Sequence, residues 1–262
     1  MTFFCEKKRF KRIEKSRPQN HFLKEYVAQK LYERLFFHKK TPQHILEISE
    51  RDVFFQTLCH TIPIHSFDDV LTPDALFKHR LKEKKNSYDA CISNLSLHTI
   101  NDLPGFLSVI HKSLEPDSFF MGSFYAYGSL ENVTQSFYRI EEETTHGVAQ
   151  RFFPLLKPND CLNLLKRVGF YDCLVDVEDI TITYQTLKKA LDDLMLMGER
   201  NCLARAYPMC RKTWTCFDSF MNQAFSQSAL EVTVRVGYFY GVKKSPVHTT
   251  RLKANSFNEL IS

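Results

Sequence analysis

The sequence predicts an α/β fold, an open and mainly parallel sheet with helices on both faces. Three observations predict it. Short apolar runs alternate with helix-length segments over most of the stretch from 44 to 242. The run at 88–94 opens into the polar cluster Ser93-Asn94-Leu95-Ser96-Leu97-His98 with a capped helix behind it, and the carboxyl end of such a strand is the usual ligand position in an open sheet. The last two strand-like runs, 172–184 and 231–242, are joined by a long helical insertion at 186–226 instead of a tight hairpin.

Each element has its own signal. Residues 20–38 read as a helix with Phe22, Tyr26, Leu31 and Leu35 on its apolar stripe and Lys24, Lys30 and Arg34 outside it. Thr41-Pro42 breaks that helix, and HILEIS at 44–49 is a short buried strand. Between 50 and 87 the pattern is weaker, with a helix over 52–59, a strand over 61–67 and a polar helix over 73–84. After the strand at 88–94, Asn101 or Asp102 caps a helix that has Pro104 in its first turn. Phe106, Leu107, Ile110 and Leu114 form that helix's apolar face. Glu115-Pro116-Asp117 turns the chain into a strand at 118–125, and a helix follows at 129–143. Pro158-Asn159-Asp160 starts another helix, which Gly169 stops.

Bulk composition bounds the rest. A chain of 262 residues with 44% hydrophobic content can bury one substantial core. Residues 1–40 hold twelve Lys/Arg against four Asp/Glu, a charge of +8 that leaves −3 for the remainder. The division is therefore a basic helical arm (1–40), a main domain (41–244) and a polar, mobile tail (245–262). A basic arm meets an acidic protein, an anionic surface or only solvent, and nucleic acid is not the favoured partner. Eight cysteines without a CxxC pair indicate a reducing compartment and neither a disulfide framework nor a zinc site. No apolar run is long enough to span a bilayer, and the start lacks a signal-peptide pattern. His65 and Asp68 are spaced HxxD, unlike a facial iron triad, and read as a turn histidine and a strand-end acid with no metal.

Several stretches carry a family resemblance: FLKEYVAQKLYERL (22–35), ISNLSLHTINDLP (92–104), LLKRVGF (164–170), VDVEDITITY (175–184) and DLMLMGERNC (193–202). Together they resemble the methyltransferase-like assembly factor of respiratory complex I, within the class I S-adenosylmethionine-dependent methyltransferase superfamily. The central region is also similar to malonyl-acyl-carrier-protein O-methyltransferases. The resemblance implies a Rossmann-like, seven-stranded sheet, S-adenosylmethionine as cofactor and a complex I subunit as protein partner. It implies modification of an arginine on that partner, in a bacterial cytoplasm or a mitochondrial matrix.

The chain departs from that family where the cofactor should sit. Glu47 matches the acid that ends the first strand, but Ser49, Arg51 and Val53 stand where glycines let a backbone approach the ligand. The cofactor half is also shortened by roughly 20 residues, about one strand–helix unit. On the resemblance, Glu47, Ser49, Asn94 and Leu95 hold the cofactor, with Asp68 or Asp69 for its ribose. His98 is the catalytic base, with a pKa suited to proton transfer near neutrality. Glu199 and Asn201 line the protein-substrate opening. The structural alternative has Asn94 closing a turn, His98 packing at the sheet edge, Asp102 capping a helix and Glu199 ending one. Further departures are Ala126-Tyr127-Gly128-Ser129, Thr99 and Met197-Gly198-Glu199-Arg200-Asn201. Three functions stay open: an arginine-modifying enzyme of the assembly-factor type, a methyltransferase-shaped docking protein without catalysis, and a malonyl-acyl-carrier-protein methyltransferase.

Overall fold

Alternation along each strand divides the core into two layers. Leu46, Ile48, Cys91, Phe120, Phe124 and Phe239 point to one face of the sheet, and Ile45, Ala90, Ile92, Phe119, Met121 and Tyr238 to the other. The computed structural model describes residues 3–15, 22–36, 38, 41–49, 58, 66–71, 85–196, 199, 202–205, 207–224 and 229–245. The helix expected at 73–84, the tail beyond 245, and all but Leu58 of the helix expected at 52–59 lie outside the described residues. So do His65, Arg51, Val53 and Asn201.

Six strands form one sheet: β1 (His44–Ser49), β2 (Ser66–Leu71), β3 (Tyr88–Ser93), β4 (Leu114–Tyr125), β5 (Tyr171–Tyr184) and β6 (Leu230–Lys243). Their order is β2-β1-β3-β4-β6-β5. The first four are mutually parallel, and β6 runs antiparallel between β4 and β5. The expected seventh strand is not found among the described residues, which leave out 50–57, 59–65 and 72–84. β2 runs on to Leu71 where the strand was expected to end at 67, so Asp68 and Asp69 lie inside it, while 61–65 lie outside the described residues.

The helices are α1 (Glu6–Lys15), α2 (Phe22–Leu35), α3 (Leu103–Ser113), α4 (Glu131–Thr145), α5 (Pro158–Val168), α6 (Leu187–Leu196) and α7 (Arg211–Ala224). α3 and α5 cover one sheet face through Phe106, Leu107, Ile110, Cys161 and Leu165. α2 covers the other through Leu23, Val27, Leu31 and Leu35. α4, α6 and α7 pack with Tyr184, Leu230 and Val232, at the edge where the parallel strands end. Asp102 caps α3, its carboxylate accepting from Gly105 N at 2.9 Å, and Gly169 ends α5 at φ 112°. The turn expected at Glu115-Pro116-Asp117 is absorbed into β4 as an irregularity. Pairing with β3 slips between Tyr88–Leu114 and Ala90–Phe119, and Asp117 takes φ 61°.

The inward face of α2 differs from expectation. Phe22 and Tyr26 are exposed, while Lys24 is buried. The i, i+4 row Leu23, Val27, Leu31, Leu35 sets the rotation of the helix, and Lys24 follows Leu23 inward.

Candidate functional site

The carboxyl ends of β1, β2 and β3 lie level, Ser49 opposite Leu71 and Ile48 opposite Ser93. Beyond them the chain is densely polar and almost closed to solvent. Ser93 and Ser96 share a hydroxyl–hydroxyl bond of 2.6 Å, and the Ser96 hydroxyl also reaches Ile48 O at 3.5 Å. Asn94 donates through Nδ2 to Lys24 O (2.9 Å) and accepts through Oδ1 from Ser123 Oγ (3.2 Å). Ser123 Oγ in turn accepts from Leu95 N at 2.9 Å, and this fixes Leu95 at φ 45°. Both polar ends of Asn94 and the amide of Leu95 are thus engaged in tying α2 and β4 to the end of β3. Glu47 is buried two residues before the end of β1. Asp68 pairs with Leu46 and Asp69 with Glu47, three and two positions short of the strand's end. The boundary correction therefore puts neither acid beyond the strand, where it was expected.

His98 sits on the short 3-10 turn Leu97–Thr99, behind this knot. Its side chain is 0% exposed. Its ring meets Tyr125 edge-on at 4.7 Å between centroids and lies 6.1 Å from that of Phe153. Nε2 is 3.0 Å from Glu199 Oε2, and Glu199 Oε1 is 3.1 Å from Lys24 Nζ. The side chains of Lys24 and Glu199 are only 8% and 7% exposed. A carboxylate can only accept, so Nε2 donates its proton to Glu199. The result is a fully buried imidazole, oriented by Glu199 at Nε2 and without a hydrogen-bond partner at Nδ1 among the described residues.

The amino-terminal segment closes over this chamber. Phe4 pairs with Leu203 in an antiparallel bridge, with Cys5 N donating to Cys202 O and Ala204 N to Phe3 O, each at 2.8 Å. Asn101 accepts from Phe4 N (2.9 Å) and donates to Phe4 O (3.1 Å). Lys8 Nζ donates to Leu203 O at 2.9 Å. Phe4 packs with Cys202, Leu203 and Phe153, its ring 5.7 Å from that of Phe153. Here the first residues of the basic arm are docked. Sequence reasoning passed over Lys24 and the clamping role of Asn101, because both depend on contacts about a hundred or more residues away along the chain. No group of three or more His, Cys, Asp and Glu able to hold a metal occurs among the described residues.

No protein-family profile matches the chain. Individual proteins do. The mitochondrial arginine-hydroxylase NDUFAF5 of Danio rerio is 37% identical over 178 residues, 67% of this chain and 56% of that protein. The human protein of the same name is also 37% identical, over 45% of this chain and 34% of its own length. The chain is a homologue of the arginine-hydroxylase NDUFAF5 proteins. It spans between about a third and just over half of the length of these curated relatives. A malonyl-acyl-carrier-protein O-methyltransferase of Gallionella capsiferriformans follows at 26% identity, over 62% of this chain and 54% of that protein. Among solved structures, a candidate methyltransferase from Bacillus halodurans superposes with a TM-score of 0.54 at 10% identity, over 83% of this chain and 99% of that one. The YcgJ protein of Bacillus subtilis gives 0.51 at 8% identity with the same coverage. The fold is that of class I methyltransferases.

Proposed function

We propose that the chain modifies an arginine side chain of a protein partner, with His98 as the group that accepts a proton. The observation that carries this is the buried His98 ring, held by Glu199 at one nitrogen and without a partner at the other. An arginine guanidinium keeps its protons in the ground state and releases one only as its nitrogen is being modified, to a base held beside it. Nδ1 of His98 is such a base, and the Lys24–Glu199 pair holds it in the required tautomer. Support for arginine as the target comes from the arginine-hydroxylase relatives.

S-adenosylmethionine would lie at the level strand ends, where Ser93, Ser96 and Glu47 are the buried polar side chains. Glu47, Ser49 and the backbone around Asn94 and Leu95 would hold it, with Asp68 set back along β2. When bound, it supplies an electrophilic methyl group. The partner in this proposal is a subunit of respiratory complex I, and the setting a mitochondrial matrix, with a bacterial cytoplasm as the alternative.

A second reading is favoured by the full engagement of Asn94 and Leu95: a docking protein that has lost its cofactor. Calorimetric titration of the purified chain with S-adenosylmethionine and S-adenosylhomocysteine separates the two. Micromolar binding retained in His98→Asn, together with modified arginine on a co-expressed partner only when His98 is intact, supports the enzyme. No binding at millimolar ligand overturns it in favour of the docking protein.

A further inference from the structure

The clasp over His98 brings together two thiols from opposite ends of the chain. The bridge pairs Phe4 with Leu203 in antiparallel register, so Cys5 stands directly across from Cys202, and Cys5 N bonds Cys202 O at 2.8 Å. Residues facing each other across antiparallel strands have Cα atoms about 4.5–5.5 Å apart. Disulfides span about 4.4–6.8 Å between Cα atoms. Both side chains leave the same face of the two-stranded ribbon. Both residues are thiols here, with Cys5 half-buried and Cys202 buried.

We propose that Cys5 and Cys202 form a disulfide under peroxide, a redox latch that fixes the amino-terminal segment over the His98 chamber. The chemistry balances with hydrogen peroxide as oxidant. The Cys5 thiolate, the more accessible of the two, attacks one peroxide oxygen. The O–O bond breaks, Cys5 becomes a sulfenic acid, and hydroxide leaves as water. The Cys202 sulfur, held across from Cys5, then attacks the Cys5 sulfur; its thiol proton goes to the departing hydroxide, which leaves as a second water as the S–S bond forms. Thiols elsewhere in the core are poorly placed for this reaction. Burial pushes the Cys161 thiol up to about 12 and the Cys91 thiol well above its ordinary range, so neither supplies thiolate at neutral pH.

The consequence follows from what the segment covers. Phe4 seats on Phe153, which touches the His98 ring, and His98 is fully buried while the clasp is shut. In this proposal a protein side chain approaches His98 from the Phe153 side, after residues 3–5 lift away. Reduced, the clasp is held by a few hydrogen bonds and one aromatic contact. Oxidised, it is covalently shut, and substrate access is lost. The bond forms whatever His98 does, but its effect on access rests on the proposed function.

The test uses the full chain, reduced, desalted, exposed to a few equivalents of hydrogen peroxide and quenched with N-ethylmaleimide. Tryptic digestion without reductant is then read by mass spectrometry. The expected species joins MTFFCEK (1–7) to NCLAR (201–205), disappears with dithiothreitol, and leaves Cys91 and Cys161 alkylatable after unfolding. Phe4→Asp, which unseats the segment, should lower its yield at least tenfold. Sulfinic acid at Cys5 without the linked peptide would overturn the latch. So would a disulfide to Cys210 or to a second chain, or an unchanged yield in Phe4→Asp. The mapping needs no activity and the cofactor titration needs no disulfide, so failure of one is distinguishable from failure of the other.

Discussion

Removing both members of the buried Lys24–Glu199 pair should cost clearly less than the sum of removing each alone. The side chains are 8% and 7% exposed and 3.1 Å apart, and Glu199 also holds His98 at 3.0 Å. Deleting one partner of a buried ion pair leaves an uncompensated charge in a poorly polarisable interior, a loss of about 3–5 kcal/mol. Lys24→Met should fall toward the low end, because Glu199 keeps its hydrogen bond from His98. Glu199→Gln should fall higher, since it strands Lys24 and frees His98 to rotate. At roughly 2–4 °C per kcal/mol for a chain of this size, each variant should melt about 6–20 °C below the parent. The double variant Lys24→Met/Glu199→Gln removes the orphaned charge. It should recover at least about 2 kcal/mol relative to the sum of the single losses. Urea unfolding of the four proteins, followed by circular dichroism, measures the cycle. Single losses under about 1 kcal/mol, or strict additivity, would show that the pair is solvated and that His98 is not held as described.

Three further outcomes are expected. Asn94→Ala should lose about 2–3 kcal/mol, because it leaves Lys24 O and Ser123 Oγ without their bonds to Asn94 in a buried knot, and limited proteolysis should find α2 first. Gly122→Ala should destabilise by about 1–3 kcal/mol, since the new Cβ would overlap Ser93 O and sit 2.7 Å from Phe239 Cζ; a parental melting temperature would show that β3 and β4 can part there. Burial first, then the positive charge of Lys243, lowers the His111 pKa below its ordinary 6.5. The unfolded chain therefore takes up this proton at a higher pH than the folded one, and stability is lost as pH falls through 6.5 toward the folded pKa. His111→Phe, which keeps the edge contact with Phe170, should flatten the change in urea midpoint between pH 7.5 and 5.5.

What was legible in the sequence was what local chemistry dictates. The Asp102 cap, Pro104 in the first turn of α3, Gly169 at the end of α5 and the alternating run of β5 each carry a signal within a few residues. The class I methyltransferase fold followed from them and from the family-like turn after β3. The site was legible only in part. His98 was singled out for its place after a strand end, but its partners, Lys24 and Glu199, are 74 and 101 residues away along the chain. Lys24 looked solvent-facing because charge outweighed the Leu23–Leu35 row in the reading of α2. Asp68 seemed to lie beyond a strand because β2 has few apolar residues to mark its limits. Asn94 illustrates a different limit: a carboxamide at a ligand position looks the same in sequence whether it contacts a ligand or ties α2 to β4.

The last strand, β6, lies inside the sheet, with β4 on one side and β5 on the other. As the chain leaves the ribosome, β4 and β5 are both complete well before residue 230 appears, and neither has its neighbour on that side. Phe119, Phe120 and Phe124 of β4 and the long ladder of β5 must wait for the same 14-residue segment. The sheet therefore closes late, through contacts distant in sequence, and such pairing is slow and exposes unpaired edges meanwhile. Stop codons before residue 230 should yield insoluble product rather than a smaller folded domain, and mutations in β6 should reduce cellular yield more than their cost in equilibrium stability would suggest.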